Sequence, residues 1–332
     1  IMPWNHPFMI PFWTIVPALI AGNNIIYKPS ELTPLVGREI EHLFSELGLS
    51  SYLFSTVYGD GKTGRALSAA NQVNMISFAG SVRVGVNIYR EAAENMKRLI
   101  LENGGKDALI AGNCKNEEKV AEQILIGFLR HAGQLCSSVR RVYILEESYE
   151  KYIGLLKEMI TSYKVGDPKE EDTVVGPLKL EAQIKNLDAQ IEDALAKGGS
   201  IAYQGKERTG HIYPPTIIRD AVPGMRVVDE ETFGPIIPII RVKDLKEAVD
   251  YVNLSQFGLN ASLWHDDIDE AGGIASMIDA GTVSINMLPG THNYCTWHGV
   301  KMSGIGNILS PDGVRQFTNR KNIRYYAGQK NE

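Results

Sequence analysis

Leu99-Ile100-Leu101-Glu102-Asn103-Gly104-Gly105-Lys106 sets the architecture of this chain. Three apolar residues read as a short buried strand, a carboxylate interrupts them, and a glycine pair follows that permits a sharp or closely packed backbone. Two domains can meet at such a strand end. On its upstream side, from Asn24 to about Gly105, short apolar runs alternate with amphipathic stretches. The runs are Ile25 to Tyr27, Ser55 to Tyr58, Met75 to Phe78 and Leu99 to Leu101; the helical stretches lie at Glu39 to Leu47, near Ala66 and at Tyr89 to Asn95. That alternation predicts a parallel sheet flanked by helices. On its downstream side a second cycle follows, with helices near Val120 to Leu129, Tyr149 to Tyr163 and Leu180 to Lys197. Its strands fall near Val142 to Leu145, Ile236 to Val242 and Thr282 to Asn286. The expected fold class is α/β, with two parallel-sheet domains and a cleft between them.

A length of 332 residues suits two domains of roughly 150 residues each. Hydrophobic content of 44% with 22% charged residues is ordinary for a globular protein. The net charge of -5 gives no electrostatic reason to bind nucleic acid or an anionic membrane, so a small-molecule partner is expected. Cys114, Cys136 and Cys295 form no C-x-x-C unit and have no histidines at zinc-finger spacing, which predicts no metal and fits a reducing cytoplasm. The apolar stretch from Pro7 to Gly22 is broken by Pro11 and Pro17 and is too short to span a bilayer, so it predicts a buried helix. Tyr163 to Pro177 and Gln204 to Pro215 read as surface loops.

Three side chains carry chemistry. Cys136 lies in Gly133-Gln134-Leu135-Cys136-Ser137-Ser138, after a glycine-containing turn whose backbone dipoles can draw the thiol toward a thiolate. By itself it reads first as a small core hydrophobe. Glu102, if buried at its strand end, suits a general base; otherwise it is an exposed terminal glutamate. Asn5, in Pro3-Trp4-Asn5-His6-Pro7, offers a side-chain N–H to an oxyanion or simply holds a turn. A thiol, a carboxylate and a carboxamide are the set that a covalent acyl-enzyme route requires.

Other residues suit a nucleotide. Lys28 and Glu31 follow the strand ending at Tyr27, where parallel α/β sheets bind ligands. Gly80-Ser81 opens a helix whose N-terminal amides, with the Ser81 hydroxyl, can receive a pyrophosphate. Gly59-Asp60-Gly61-Lys62-Thr63-Gly64 satisfies G-x-G-x-x-G, a weak signal alone. Glu231 and Phe233, in Glu231-Thr232-Phe233-Gly234-Pro235, read by composition as an ordinary acidic turn before a strand.

The ordered series Pro3-Trp4-Asn5, Lys28 to Glu31, Phe78 to Ser81, Glu102 to Lys106, Gly133 to Cys136, Glu231 to Pro235 and Val300 to Gly306 resembles that of the aldehyde dehydrogenase superfamily, over nearly the whole chain. The resemblance implies two Rossmann-like domains: a coenzyme domain over 1–104 and a catalytic domain over 105–306. A terminal helix and oligomerisation strand would follow over 307–332, with the run Asn322 to Tyr326 joining a partner's sheet in a homodimer or homotetramer. It implies oxidation of an aldehyde by NAD, with NADP as the alternative. Cys136 would be the nucleophile, Glu102 the activator of water for thioester hydrolysis, and Asn5 the oxyanion donor together with the Cys136 backbone N–H. Lys28 and Glu31 would contact the adenosine ribose, the glutamate disfavouring a 2′-phosphate. Gly80, Ser81 and Trp4 would meet the pyrophosphate, Glu231 the nicotinamide ribose, and Phe233 the ring. Members of that family carry a substantial segment before Pro-Trp-Asn, whereas Pro3 stands almost first, so a fragment or shortened homologue is expected, and an inactive remnant stays open.

The substrate is less legible. Arg130, six positions before Cys136, resembles the carboxylate-binding arginine of succinate semialdehyde dehydrogenases, or else pairs within the fold. Trp13, eight residues after Asn5, holds the place of the second arginine of that group and suits an apolar tunnel. A hydroxyaldehyde such as lactaldehyde or glyceraldehyde is the alternative substrate; a CoA-acylating enzyme or a thioesterase-like hydrolase is the alternative reaction. Asn103 stands where the family has an apolar residue, and Tyr294-Cys295-Thr296-Trp297-His298-Gly299 where it has Pro-Phe-Gly-Gly.

Overall fold

Seven strands build the larger sheet, in the order Thr282–Ile285, Asn260–Trp264, Ala108–Ala111, Arg141–Leu145, Ile236–Val242, Thr216–Arg219 and Ser200–Gln204. The computed structural model describes residues 1–292 and 294–326. All neighbours in this sheet run parallel except the edge strand Ser200–Gln204, which is antiparallel. Every residue of Ala108–Ala111, Arg141–Leu145 and Asn260–Trp264 is buried, as expected for parallel strands covered on both faces. Leu125, Phe128, Tyr152 and Leu156, from the helices Glu117–Leu129 and Tyr149–Ile160, join these strands in one core.

Two smaller sheets precede it. Ile25–Tyr27 pairs in parallel with Phe54–Thr56, and Met75–Ala79 pairs in parallel with Arg98–Glu102. The strand Gly304–Ile305 returns to pair antiparallel with Arg98–Glu102 on its other side. Ile1 and Met2 link the two sheets, since Met2 N–H donates to the Lys28 carbonyl at 3.0 Å and Ala79 N–H to the Ile1 carbonyl at 3.1 Å. The carboxyl ends of Ile25–Tyr27, Met75–Ala79 and Arg98–Glu102 therefore deliver Lys28, Gly80 and Asn103, the arrangement in which α/β sheets bind ligands.

Three expectations change. The helix Met9–Ile20 buries Ile10, Pro11, Thr14, Ile15 and Ala18 but exposes Met9, Val16 and Ile20, so it is not wholly buried. Its sequence is apolar all round, and only the packing partner selects the inner face. Ala108–Ala111, Thr216–Arg219, Ser200–Gln204 and Asn260–Trp264 are strands that the apolar pattern does not announce, because periodicity over four or five residues does not fix their state and tertiary pairing decides it. The Tyr163 to Pro177 loop contains a small parallel pair, Lys164–Val165 with Thr173–Val175. The run Asn322 to Tyr326 is exposed and, among the described residues, pairs with no strand. Among the described residues no helix is long and apolar enough to cross a membrane, and no cluster of three metal-binding side chains occurs.

Candidate active site

A cavity of about 940 Å³ opens where the small sheets face the larger one, and Cys136, Glu102 and Asn5 all line it. Cys136 is half-buried at the end of a tight reversal in which His131, Ala132 and Gly133 all take left-handed φ, at 51°, 53° and 72°. Arg140 holds this turn. Its guanidinium, fully buried, donates to the Leu135 carbonyl at 3.0 Å, to the Gly133 carbonyl, and to the Gly234 carbonyl at 2.9 Å. It also lies 5.7 Å from the Phe233 ring, so one side chain ties the nucleophile turn to the 231–235 loop. Lys106, buried beneath, donates to Thr232 Oγ1, which in turn bonds Gln190 Oε1 at 3.1 Å.

The thiol environment reverses one expectation. Burial first, then the carboxyls of Asp107, Glu102 and Glu231, push the Cys136 thiol up to about 12, against a smaller opposing contact from the Ser137 backbone. Desolvation of a thiolate outweighs the turn's dipoles here, so the resting thiol is protonated at neutral pH. Glu102 is 9% exposed, and burial holds its carboxyl well above the usual carboxylate range. One oxygen, Oε2, accepts the Trp297 indole N–H at 2.9 Å; the other, Oε1, has no partner among the described residues. Asn5 donates through Nδ2 to the Gln134 carbonyl at 3.1 Å, which brings its carboxamide beside the nucleophile turn.

The cofactor side of the cavity shows why the sequence needs glycine there. A Cβ on Gly104 would fall on the Glu231 carboxylate, and one on Gly105 would meet the Cys136 carbonyl at 2.7 Å. The pair thus lets the 231–235 loop and the nucleophile turn close on the strand end. Trp4 and Phe233 meet edge to face at 5.9 Å and 76°, across the same cleft. Lys28, 3% exposed, sits 3.6 Å from the exposed Glu31 carboxylate and donates to the Pro29 carbonyl at 3.0 Å. Ser81 is the N-cap of the helix Val82–Ala93, yet its hydroxyl makes no capping bond and is exposed. A helix terminus with free amides and a free hydroxyl fits a phosphate. At Gly59 to Gly64, by contrast, the Asp60 carboxylate caps the helix Gly61–Ala69 and accepts from Lys62 N–H at 2.8 Å, so an anion has no place there.

Trp4, Asn5, Trp13, Lys28, Glu31, Gly80, Ser81, Glu102, Cys136, Glu231 and Phe233 are thereby brought to one cavity. Arg130 is not. It caps the helix Glu117–Leu129, is exposed, and is absent from the cavity lining, because the left-handed turn that follows carries the chain away from it. Neither the bonds of Arg140 to three carbonyls nor the chain Lys106–Thr232–Gln190 is legible in the sequence, since nothing local says that these residues meet. Trp297 was legible only as a departure from a motif; its bond to Glu102 links residues 195 apart in sequence.

Comparison with known proteins gives one consistent answer. A family model described as "Aldehyde dehydrogenase family" matches residues 1–323. The chain is 31% identical over 328 residues to the succinate-semialdehyde dehydrogenase [NADP(+)] of Deinococcus radiodurans, covering 98% of this chain and 69% of that protein. It superposes on lactaldehyde dehydrogenase from Escherichia coli with a TM-score of 0.91 at 31% identity, over 95% of this chain and 67% of that one. Betaine aldehyde dehydrogenase from Staphylococcus aureus, solved in complex with NAD+, gives a TM-score of 0.91 at 30% identity, over 98% and 68%. The chain spans about two thirds of the length of these relatives.

Proposed function

The chain belongs to the aldehyde dehydrogenase family, and we propose that it oxidises an aldehyde to a carboxylic acid with NAD+ or NADP+ through a thioester on Cys136. The observation that carries this reading is the convergence of Cys136, Glu102 and Asn5 on one cavity. The Cys136 sulfur bonds to the aldehyde carbon as its proton passes to solvent water, the carbonyl π bond breaks, and the oxygen takes that electron pair as negative charge. Asn5 Nδ2–H, with the Cys136 backbone N–H, receives that charge. A nicotinamide cofactor, when bound, supplies the acceptor for the substrate's hydride. Lys28 and Glu31 would hold its adenosine ribose, Ser81 and the helix terminus its pyrophosphate, and Glu231 and Phe233 its nicotinamide end; Lys28 beside Glu31 leaves both cofactors open. Glu102 then takes a proton from water as the water oxygen attacks the thioester, and the carbon–sulfur bond breaks to release the acid.

For the substrate we favour a small aldehyde without a carboxylate tail, such as lactaldehyde, over succinic semialdehyde. Arg130 is exposed away from the cavity, and the apolar wall is made by Trp13 and Trp297, whose ring centroids lie 6.3 Å apart. The same pair of indoles favours a second reading, an aldehyde with a cationic substituent, through cation–π attraction. The oligomer is proposed as a dimer or tetramer, with 1–104 as coenzyme domain and 105–306 as catalytic domain.

Formation of reduced nicotinamide with lactaldehyde, glyceraldehyde, betaine aldehyde and succinic semialdehyde tests the reading, with each cofactor, beside the Cys136→Ala variant. We expect turnover that the variant abolishes and the lowest kcat/KM for succinic semialdehyde. Turnover that survives Cys136→Ala defeats the mechanism; preference for succinic semialdehyde defeats the substrate assignment.

A further inference from the structure

The indole of Trp297 is held on three sides. Its backbone forms a reciprocal bridge with Ile308, at 2.9 and 3.0 Å, its ring lies against Trp13, and its N–H reaches Glu102 Oε2 at 2.9 Å. The side chain is 5% exposed, so this donor cannot turn to solvent for another partner. Glu102 Oε1 has no partner among the described residues, although that oxygen is buried. A buried carboxylate with one satisfied and one orphaned oxygen is asymmetric, and an asymmetric base has one oxygen ready for a proton.

We propose that Trp297 is the positioning residue of the general base: its indole N–H pins Oε2 of Glu102, so that Oε1 is the oxygen that takes the proton of the hydrolytic water. This rests on Glu102 acting as the base. In the step, the water oxygen bonds to the acyl carbon while one water proton moves to Oε1. The tetrahedral intermediate collapses, the carbon–sulfur bond breaks with its electron pair on sulfur, and the Oε1 proton passes to sulfur, restoring the thiol. No oxidant or further reactant is consumed. The indole acts through a second effect as well, since a donor on Oε2 stabilises the ionised carboxylate against burial. The Cys136 thiol feels the Glu102 carboxyl together with those of Asp107 and Glu231. The strand partners of Glu102, Ala79 and Gly304, carry no charge.

Trp297→Phe keeps an aromatic ring and removes the donor. Deacylation should separate from acylation in this variant. With p-nitrophenyl acetate, which acylates Cys136 without cofactor, the burst should persist while steady hydrolysis slows about tenfold at neutral pH. The pH midpoint of deacylation should move upward by about one unit, because the carboxylate loses a stabilising donor. An unchanged midpoint, or burst and hydrolysis falling together, overturns the proposal. A measurement on the unaltered chain guards against misfolding of the variant. Among the 4 tryptophans, labelled with 15N, the Trp297 indole resonance should titrate with the deacylation midpoint. An indole resonance indifferent to pH through that range also overturns it. Glu102→Gln separates the two levels: if hydrolysis survives that variant, the general-base reading itself fails, whatever Trp297 does.

Discussion

Asn5 donates one carboxamide N–H to the Gln134 carbonyl, and in the proposed mechanism the other meets the oxyanion. A donor that matters only once charge develops contributes to kcat rather than to ground-state binding. Asn5→Ala should therefore lower kcat by about 10²–10³-fold, some 2.7 to 4 kcal/mol, with the KM for aldehyde changing far less. Steady-state kinetics on a folded variant checks this, and an unaltered kcat removes Asn5 from the oxyanion site. Which residues are candidates for the proposed reaction was legible, because thiol, carboxylate and carboxamide state their chemistry by type. How strongly each is perturbed was not. The Cys136 thiol is raised by Asp107 and Glu231, which stand 29 and 95 positions from it, respectively, and only folding makes them neighbours.

At the scale of elements, the site is made by loops at strand ends and by the clamps between them. The strand Arg98–Glu102 ends in the glycine pair, and Gly104 yields its side-chain space to Glu231. Gly104→Ala should push that carboxylate aside at a cost of about 1–3 kcal/mol, a typical overpacking penalty. We expect binding of reduced nicotinamide cofactor, followed by its fluorescence, to weaken about tenfold or more while far-UV circular dichroism is unchanged. Affinity equal to the parent's would mean that Glu231 does not hold the cofactor. The glycine pair announced itself in the sequence because few other reasons put two glycines after a strand. Arg140 did not, since an arginine in a chain reads as surface until its guanidinium is found bonded to three carbonyls.

Across the whole molecule, apolar burial is uneven. One continuous core runs through the seven-stranded sheet, whereas the strands before Glu102 rest on three smaller clusters. Unfolding in urea should begin at the cavity side. Tryptophan fluorescence, which samples Trp4, Trp13 and Trp297 at the cavity against Trp264 in the large core, should change at lower urea than circular dichroism. Bound cofactor should raise that first transition; coincident transitions would show a single cooperative unit. Alternating apolar and amphipathic runs by themselves determined an α/β chain, and the ordered motif series that resembles the aldehyde dehydrogenase family singled out Cys136, Glu102 and Asn5 as candidates, because periodicity and side-chain chemistry are local properties. Tertiary structure alone decided that Trp297 holds Glu102, that Arg140 ties two loops together, and that Arg130 stands outside. Those are contacts between residues distant in sequence, and the burial that gives them their strength exists only once the sheets have packed.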